Sequence, residues 1–264
     1  MEDVQNWIDR RGIPIDRVGI KGIKYPITVL DRHKGKQSTI AEINMYVDLS
    51  PTFKGTHMSR FVEVLNECRD EFDMRKLSSI ARMVRERLNA QSSYLEITFP
   101  YFMELHAPVS QSRSIMEYTS RIVIVARDSK DTDIQVGVKV PVSTVCPCSK
   151  ELTTGIAHNQ RAVVTIQIRM EDFVWIEELI EIAEESASSK VYPLLKREDE
   201  KYVTEKAYQN PVFVEDIVRN AAVKLKTDKR ITWFFVEAES MESIHNHNAY
   251  ASLEWFRPDS DKSV

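Results

Sequence analysis

The sequence predicts an α+β protein made of two consecutive modules, each with the element order ββααββ and an antiparallel sheet. Stretches in which apolar and polar residues alternate predict strands, and apolar residues three or four positions apart predict helices. Both patterns occur in the same order in the two halves, on either side of the polar stretch at residues 127–133. Helices on one face leave sheet edges uncovered, so we expect further copies of the chain to cover them.

The first module is predicted to span residues 18–128, after an extended N-terminal arm at residues 1–17. Its elements are strands near 18–30 and 42–49, helices near 58–68 and 77–88, and strands near 95–105 and 115–126. Asp73 is a candidate cap for the second helix. Pro100 falls inside a strand pattern, which indicates a sheet edge or a bulge.

The second module is predicted to span residues 129–264. Its strands are expected near 134–140, 164–170, 231–238 and 249–255. One helix is predicted from about Asp172. A second is predicted from Asn210 and Pro211, because asparagine favours the cap and proline the first helical position.

The composition is typical of a globular protein, with 42% hydrophobic and 29% charged residues among 264. A transmembrane helix needs about 18 consecutive apolar residues, and no apolar stretch of the sequence is that long. The acidic N-terminus does not resemble a secretory signal. We therefore expect no membrane partner. A net charge of −4 gives no overall attraction to nucleic acid. Three cysteines, two of them close together, argue against a disulfide framework and favour a cytoplasmic location.

Cys146 and His158 are the most informative pair in the sequence. A thiolate and an imidazole are the ligands that a zinc-like ion prefers, and the intervening residues are enough for the loop to fold back onto one metal. The spacing leaves a second interpretation open, in which Cys146 and Cys148 are half-buried loop thiols and His158 is a hydrogen-bonded surface side chain.

Three other segments of the same half are candidates for a site. The charged stretch at 196–205 is either a solvated face or part of a site, and the turn at 239–248 carries two histidines that are either surface residues or functional ones. Glu215 near a helix start either complements the helix dipole or binds a ligand. Loops, strand ends and helix starts are where sites are commonly built.

Five motifs in this half resemble those of the type IB GTP cyclohydrolases. They are VCPCSKE at 145–151, AHNQR at 157–161, DEKYVTE at 199–205, NPVFVED at 210–216 and SIHNH at 243–247. The resemblance implies the tunnelling fold, with two ββααββ modules per chain that oligomerise into a barrel. It also implies a homotetramer with active sites near subunit interfaces.

The resemblance implies conversion of GTP and water to 7,8-dihydroneopterin triphosphate and formate, the first step of folate and pterin synthesis. In that family, Cys146, His158 and Glu200 match metal ligands, and His245 matches a histidine at the same metal site. Cys146, His158 and His245 are accordingly the expected catalytic residues. Glu215 matches the glutamate that anchors guanine. The implied cofactor is a divalent metal, for which the donor types leave zinc, manganese and iron open.

Four basic residues are candidates for binding the triphosphate, and two further side chains are expected beside the metal ligands. The basic residues are Lys150, Arg161, Lys196 and Arg197, and the neighbours of the ligands are Cys148 and His247. The lone histidines of the first module, His57 and His106, are interpreted as structural or exposed, and that module as architectural.

Three alternative functions stay open at this point. An archaeal-type cyclohydrolase that forms a cyclic phosphate is the closest, because sequence separates it poorly from the triphosphate-forming type. Other enzymes of the same fold, such as pterin aldolases and synthases, are less consistent with the pairing of Cys146 and His158. A purine- or pterin-binding protein without catalysis is the third alternative.

Overall fold

The computed structural model describes residues 5, 7–68, 76–127 and 132–258. The candidate cap Asp73 and the predicted module boundary at 128–129 lie outside the described residues. The elements are β1 (Ile15–Asp31), β2 (Gly35–Leu49), α1 (Met58–Glu67), α2 (Leu77–Arg87), β3 (Ser92–His106), β4 (Arg113–Arg127), β5 (Thr132–Val145), α3 (Pro147–Leu152), β6 (Asn159–Met170), α4 (Ile176–Ser186), β7 (Ser189–Lys190), α5 (Arg197–Gln209), α6 (Val214–Thr227), β8 (Ile231–Ser240) and β9 (Ala249–Phe256).

The strands follow the hydrogen-bonded order β1-β2-β3-β4-β5-β6-β8-β9, with β7 paired to β5. The pairs β1–β2, β2–β3, β6–β8 and β8–β9 are antiparallel. The predicted α+β class with antiparallel strands is therefore confirmed. The first half has the predicted order ββααββ, and the second half adds α3, β7 and α5 to it.

The chain forms two compact units that are not contiguous in sequence. The first unit comprises Met1–Pro100 and Arg121–Gln135, and the second comprises Tyr101–Ser120 and Val136–Val264. The domain limits that we predicted from the sequence stay a prediction. β1 begins at Ile15, within the predicted N-terminal arm.

The core of the first unit follows the predicted patterns. Alternate residues of β2, including Ile43 and Met45, are fully buried. The helices add Phe61 from α1 and Ile80 from α2 to the buried set. Pro100 lies within β3 but beyond the β2–β3 pairing, which ends at Glu42 and Thr98; proline lacks the N–H that this ladder uses.

Glycine at position 19 lets β1 approach β2 closely. A Cβ atom there would lie 2.0 Å from the carbonyl oxygen of Met45. The register of β1 shifts nearby, between Ile20 and Ile23, and Gly22 in that bulge has a φ of 76°. Its N–H donates to Oδ1 of Asn44 over 2.8 Å, which holds the bulge in place.

The second unit buries two carboxylates of α4 against tyrosines. The hydroxyl of Tyr101 donates to Glu177 and that of Tyr118 to Glu184, each over 2.6 Å. Burial, and then the neighbouring charge of Glu184, raises the pKa of Tyr118 far above its ordinary value. Lys190 lies 3.3 Å from the other oxygen of Glu184, which partly balances that buried charge.

Both helix starts predicted for the second half are wrong. α4 begins at Ile176 rather than near Asp172, because the carboxylate of Glu178 accepts the N–H of Trp175 over 2.8 Å. α6 begins at Val214, where Asp216 caps the N–H of Phe213 over 3.0 Å. Asn210 instead ends α5, and its side chain donates to the carbonyl of Ala187 over 2.9 Å.

None of the helices within the described residues combines the length and apolar character that crossing a membrane requires.

Candidate active site

A cleft of about 440 Å³ in the second unit collects side chains from segments that are far apart in sequence. Its lining residues are Thr144, Cys146, His158, Gln160, Val212, Phe213, Val214, Glu215, Ser240, Glu242, His245, His247, Ala249 and Tyr250. Five of the residues singled out by the sequence, Cys146, His158, Glu215, His245 and His247, therefore share one cleft.

A second and larger cleft, of about 560 Å³, lies in the first unit. His57 lines it, together with Asp16, Asp48 and Arg60, but none of the site residues predicted from the sequence is among its lining residues. The smaller cleft is the better candidate, because it holds the thiol and the imidazoles together.

Cys146 occupies the point where β5 ends and α3 begins. It is the N-cap of α3, with a proline directly after it, and its sulfur accepts the N–H of Ser149 over 3.4 Å. The N–H of Cys146 donates to the carbonyl of His158 over 3.2 Å. The connection between the two residues therefore folds back on itself, as their spacing predicted, and the thiol is half-buried.

His158 has a hydrogen bond that fixes its ring. Nδ1 lies 2.8 Å from the amide oxygen of Gln160, and the side chain is only 12% exposed. An amide oxygen can only accept, so Nδ1 carries a proton, and in the neutral ring Nε2 then keeps its lone pair. That is the tautomer in which an imidazole binds a metal through Nε2.

Glu242 completes this network, and sequence reasoning missed it. One carboxylate oxygen accepts from Nε2 of Gln160 over 3.2 Å and from the hydroxyl of Ser240 over 2.9 Å, while the other lies 3.9 Å from Nδ1 of His158. The β6–β8 pairing ends at Ala162 and Ser240, and just beyond it the N–H of Met241 donates to the carbonyl of Arg161 over 2.9 Å, which brings Gln160 and Glu242 together. That pairing was the available signal, and it requires knowing which strands are neighbours.

His245 and His247 lie exposed in the turn between β8 and β9. The ring of His245 is 6.4 Å from that of His158, centroid to centroid, with an interplanar angle of 83°. The rings of His245 and His247 stack at 5.2 Å. Three imidazoles thus form a continuous group along one side of the cleft.

Glu215 lies in the first turn of α6, where the helix dipole favours a negative charge. Glu215 is exposed and lines the cleft. Phe213, two positions earlier in the sequence, contributes an aromatic ring to the same lining. Tyr250 contributes a second aromatic ring to the lining, and its hydroxyl donates to Glu237 over 3.0 Å. The cleft therefore offers aromatic surface and a carboxylate, which together suit a planar base that carries N–H donors.

Glu200 is not among the residues that line the cleft. It is exposed near the start of α5. Tyr208, in the last turn of the same helix, lies about 12 Å further along the helix axis. Asp199, the neighbour of Glu200, is buried instead and accepts hydrogen bonds from Ser110 and from the N–H of Val109. Burial raises the pKa of Asp199, but these hydrogen bonds outweigh that effect and hold it well below its usual range.

The remaining predicted residues lie outside the cleft lining. Lys150 on α3 donates through its ammonium group to the carbonyl of Tyr208. Cys148 is exposed on the same helix, and Arg161 is exposed on β6. Lys196 and Arg197 are exposed at the start of α5, where the N–H of Lys196 donates to the carboxylate of Asp199.

The donor types in the cleft, a thiol and imidazoles, fit a divalent metal. No group of three His, Cys, Asp or Glu side chains within the described residues is placed to hold an ion. Two imidazoles bound to one tetrahedral ion would have ring centroids about 5 Å apart, given a metal–nitrogen distance of about 2.1 Å. At 6.4 Å, His158 and His245 are near that separation, and His245 lies on an exposed turn.

Comparison with known proteins gives a match along almost the whole chain. A family model described as type I GTP cyclohydrolase folE2 matches residues 1–251. The protein named GTP cyclohydrolase FolE2 from Citrifermentans bemidjiense is 56% identical over 254 residues, which cover 96% of this chain and 94% of that protein. The protein of the same name from Syntrophus aciditrophicus is also 56% identical over 254 residues, covering 96% of this chain and 99% of that protein.

Solved structures show the same fold at low sequence identity. Uricase from Arthrobacter globiformis superposes with a TM-score of 0.58 at 7% identity, covering 94% of this chain and 96% of that chain. Urate oxidase from Bacillus subtilis 168 gives a TM-score of 0.56 at 9% identity, covering 92% of this chain and 100% of that chain. At such identity the likeness concerns the fold alone, and it confirms the tunnelling fold expected from the sequence.

Proposed function

The chain belongs to the FolE2 family of type I GTP cyclohydrolases and is an enzyme, and we propose that it converts GTP and water to 7,8-dihydroneopterin triphosphate and formate. The observation that carries the proposal is the meeting of Cys146, His158, Glu215 and His245 in one cleft. These four residues come from separate segments, so only the fold brings them together.

Glu215 is proposed to select guanine. A carboxylate accepts hydrogen bonds from N1–H and the 2-amino group of guanine together, a bidentate match that adenine cannot make. Phe213 and Tyr250 supply aromatic surface in the same cleft, which supports a base lying flat against it.

Cys146, His158 and His245 are proposed to hold a divalent metal, zinc, manganese or iron. Such an ion, when bound, lowers the pKa of water so that hydroxide can attack C8 of the purine at neutral pH. Glu200 stays a proposed ligand from the family resemblance, and its exposed position on α5 gives that assignment no support within one chain.

Proton transfer during ring opening is proposed for the histidines. Imidazole both donates and accepts protons near neutral pH. Gln160 holds the Nδ1 proton of His158. The exposed ring of His245 serves in proton transfer only where it is not occupied as a metal ligand, and the ring of His247, stacked on it at 5.2 Å, is otherwise the nearest imidazole to do so. Cys148, exposed one residue after Pro147, is proposed to lie beside the metal ligand Cys146.

The triphosphate is proposed to bind cationic side chains that the assembled protein brings together. Arg161, Lys196 and Arg197 are exposed and available for this, whereas Lys150 already donates to a backbone carbonyl. We propose a homotetramer in the cytoplasm, with active sites near subunit interfaces, because uncovered sheet edges favour association.

Anaerobic turnover of GTP by metal-stripped protein, with zinc, manganese or iron added back in turn, tests the proposal. Formate release and pterin fluorescence restored by a metal would support it and identify the effective ion. A product in which the phosphates have cyclised would favour the archaeal-type reaction. Guanine binding without formate under any metal would contradict the cyclohydrolase proposal and favour a binding protein.

A further inference from the structure

The last turn of α5 is bonded to the segments that carry two of the residues proposed to hold the metal, Cys146 and His158. The hydroxyl of Tyr208 donates to the carbonyl of Ala157 over 2.5 Å. Ala157 is the residue before His158, so this hydrogen bond fixes the backbone from which the imidazole projects.

Tyr208 also contacts the segment that carries Cys146. Its carbonyl accepts the ammonium group of Lys150. Lys150 belongs to α3, and its N–H donates to the carbonyl of Cys146, the N-cap of that helix, over 3.2 Å. One residue of α5 is therefore bonded to the His158 side through its hydroxyl and to the Cys146 side through its carbonyl.

Apolar packing joins the same elements. Val145, Ala157 and Ala207 form a buried cluster, and the ring of Tyr208 packs against it. Val145 and Ala157 directly precede the two proposed ligands. The N–H of Val145 is held by the hydroxyl of Ser188 over 3.0 Å, so the strand end is fixed from a second side.

Within the connection between the two ligands, the N–H of Gly155 donates to the carbonyl of Lys150 and the hydroxyl of Thr153 to that of Ser149, but two apolar side chains are left largely exposed. Leu152 and Ile156 are 79% and 72% exposed, and Gly155 has a φ of 101°. Ala157 is buried, and it is the residue at which this connection is bonded to α5 directly before His158. A metal site loses affinity when its ligands are displaced by about 1 Å or less.

We propose that Tyr208 is a positioning residue that sets the separation of Cys146 and His158 for metal binding. The inference rests on the proposed function in so far as these two residues bind the metal. Tyr208 acts through the backbone of Ala157 and through Lys150, and it is not among the residues that line the cleft. Groups that orient metal ligands in this way typically change metal affinity 10- to 100-fold when they are removed.

Tyr208→Phe tests the proposal, because it keeps the ring and removes only the hydroxyl. The full-length protein is titrated with Zn²⁺ against a competing chelator, and the cysteine-to-cobalt charge-transfer absorption is recorded with Co²⁺. We expect Zn²⁺ affinity to fall about 10- to 100-fold and the cobalt band to change. Tyr202→Phe is the matched control, since Tyr202 lies on the same helix and is 44% exposed; it should leave both readouts unchanged.

Equal Zn²⁺ affinity and an unchanged cobalt spectrum in Tyr208→Phe would overturn the inference. If that variant does not fold, Lys150→Met decides by the same two readouts, because it removes the donor to the Tyr208 carbonyl and keeps an apolar stem. Formate release is measured in parallel. A wild-type protein that binds metal but releases no formate with zinc, manganese or iron contradicts the proposed function, whereas a loss of Zn²⁺ affinity in Tyr208→Phe still supports the positioning role.

Discussion

The amide oxygen of Gln160 lies 2.8 Å from Nδ1 of His158 and engages that nitrogen, so Nε2 is the ring nitrogen left to bind a metal. Replacing Gln160 by leucine removes this acceptor and leaves the ring free to turn or to change tautomer. We expect Gln160→Leu to weaken metal binding about 10- to 100-fold, measured by competition with a chelator.

Gln167→Leu provides the control for this substitution, because Gln167 lies on the same strand, β6, outside the cleft lining. Its metal affinity should equal that of the wild type. If Gln160→Leu also binds metal normally, the hydrogen bond does not orient a metal ligand, and His158 serves another purpose.

Cys146 combines two roles that serine can separate. Its sulfur caps α3 by accepting the N–H of Ser149, and we propose that it binds the metal. Cys146→Ser keeps an oxygen that can cap the helix but is a poor ligand for a soft ion. We expect turnover to fall at least about 1000-fold while the thermal midpoint stays close to that of the metal-free wild type.

Cys148→Ser is the companion variant, since Cys148 is exposed on the same helix. It should retain bound metal, as measured by elemental analysis. A Cys146→Ser protein that lost metal yet released formate at the wild-type rate would remove the metal from the proposed reaction.

Glu215 should decide between guanine and hypoxanthine nucleotides. Its carboxylate offers two acceptors, whereas the amide of glutamine offers one acceptor and an unwanted donor. We expect Glu215→Gln to lower kcat/KM for GTP about 100-fold and to lower that for ITP, which lacks the 2-amino group, much less. The ratio of the two values is the measurement.

Glu205→Gln controls for the loss of one negative charge, because Glu205 is exposed on α5, where its ion pair with Lys201 spans 3.9 Å. Its GTP-to-ITP ratio should match that of the wild type. An unchanged ratio in Glu215→Gln would mean that another group recognises the 2-amino position.

The sequence predicted most of the fold, because burial on one face imposes a period. Alternation from Ile43 to Leu49 predicted β2, and helical spacing from Leu77 predicted α2, as the structure shows. α5 was missed because it buries only Asp199 and Ala207 and so carries no apolar stripe. Its charged residues are equally consistent with a loop from sequence alone.

The sequence predicts the site residues whose positions depend on a local connection. It misses those whose positions depend on which strands are neighbours in the sheet. Cys146 and His158 lie at the two ends of one connection, and that connection is long enough to fold back on itself. Glu242 meets Gln160 just beyond the last β6–β8 pair, Ala162 and Ser240, and one sequence does not specify that register. The preference of asparagine for the cap position predicts Asn210 as a cap, but Asp216 caps the helix from inside its first turn.

The buried pair Tyr118 and Glu184 should make stability depend on alkaline pH. The folded state holds the pKa of Tyr118 far above its value of about 10 in the unfolded chain. The contribution of protonated Tyr118 to the free energy of unfolding is therefore complete below about pH 10 and is lost as the pH rises above that value. We expect Tyr118→Phe to lower the free energy of unfolding by about 2 kcal/mol at neutral pH, and the difference from the wild type to narrow in alkali.

Tyr250→Phe is the exposed counterpart, because its hydroxyl donates to Glu237 over 3.0 Å at the surface. It should change the free energy of unfolding by less than about 0.5 kcal/mol. Urea titrations between neutral pH and pH 11 measure both variants. A Tyr118→Phe difference that stays constant across this range would show that Tyr118 does not ionise on unfolding.

Gly19 tests the close approach of β1 to β2 in the first unit. A methyl group at this position meets the carbonyl oxygen of Met45, and the nearest atoms are all backbone, so no side chain can turn away to relieve the contact. We expect Gly19→Ala to lower the free energy of unfolding by about 1–3 kcal/mol, measured from the midpoint of urea denaturation. Gly55→Ala is the control, because its added Cβ would lie 3.5 Å from the flexible side chain of Gln5, an ordinary contact. Equal midpoints for the two variants would mean that β1 can move away from β2 at little cost, and the bulge held by Gly22 and Asn44 would then be the place where the strand yields.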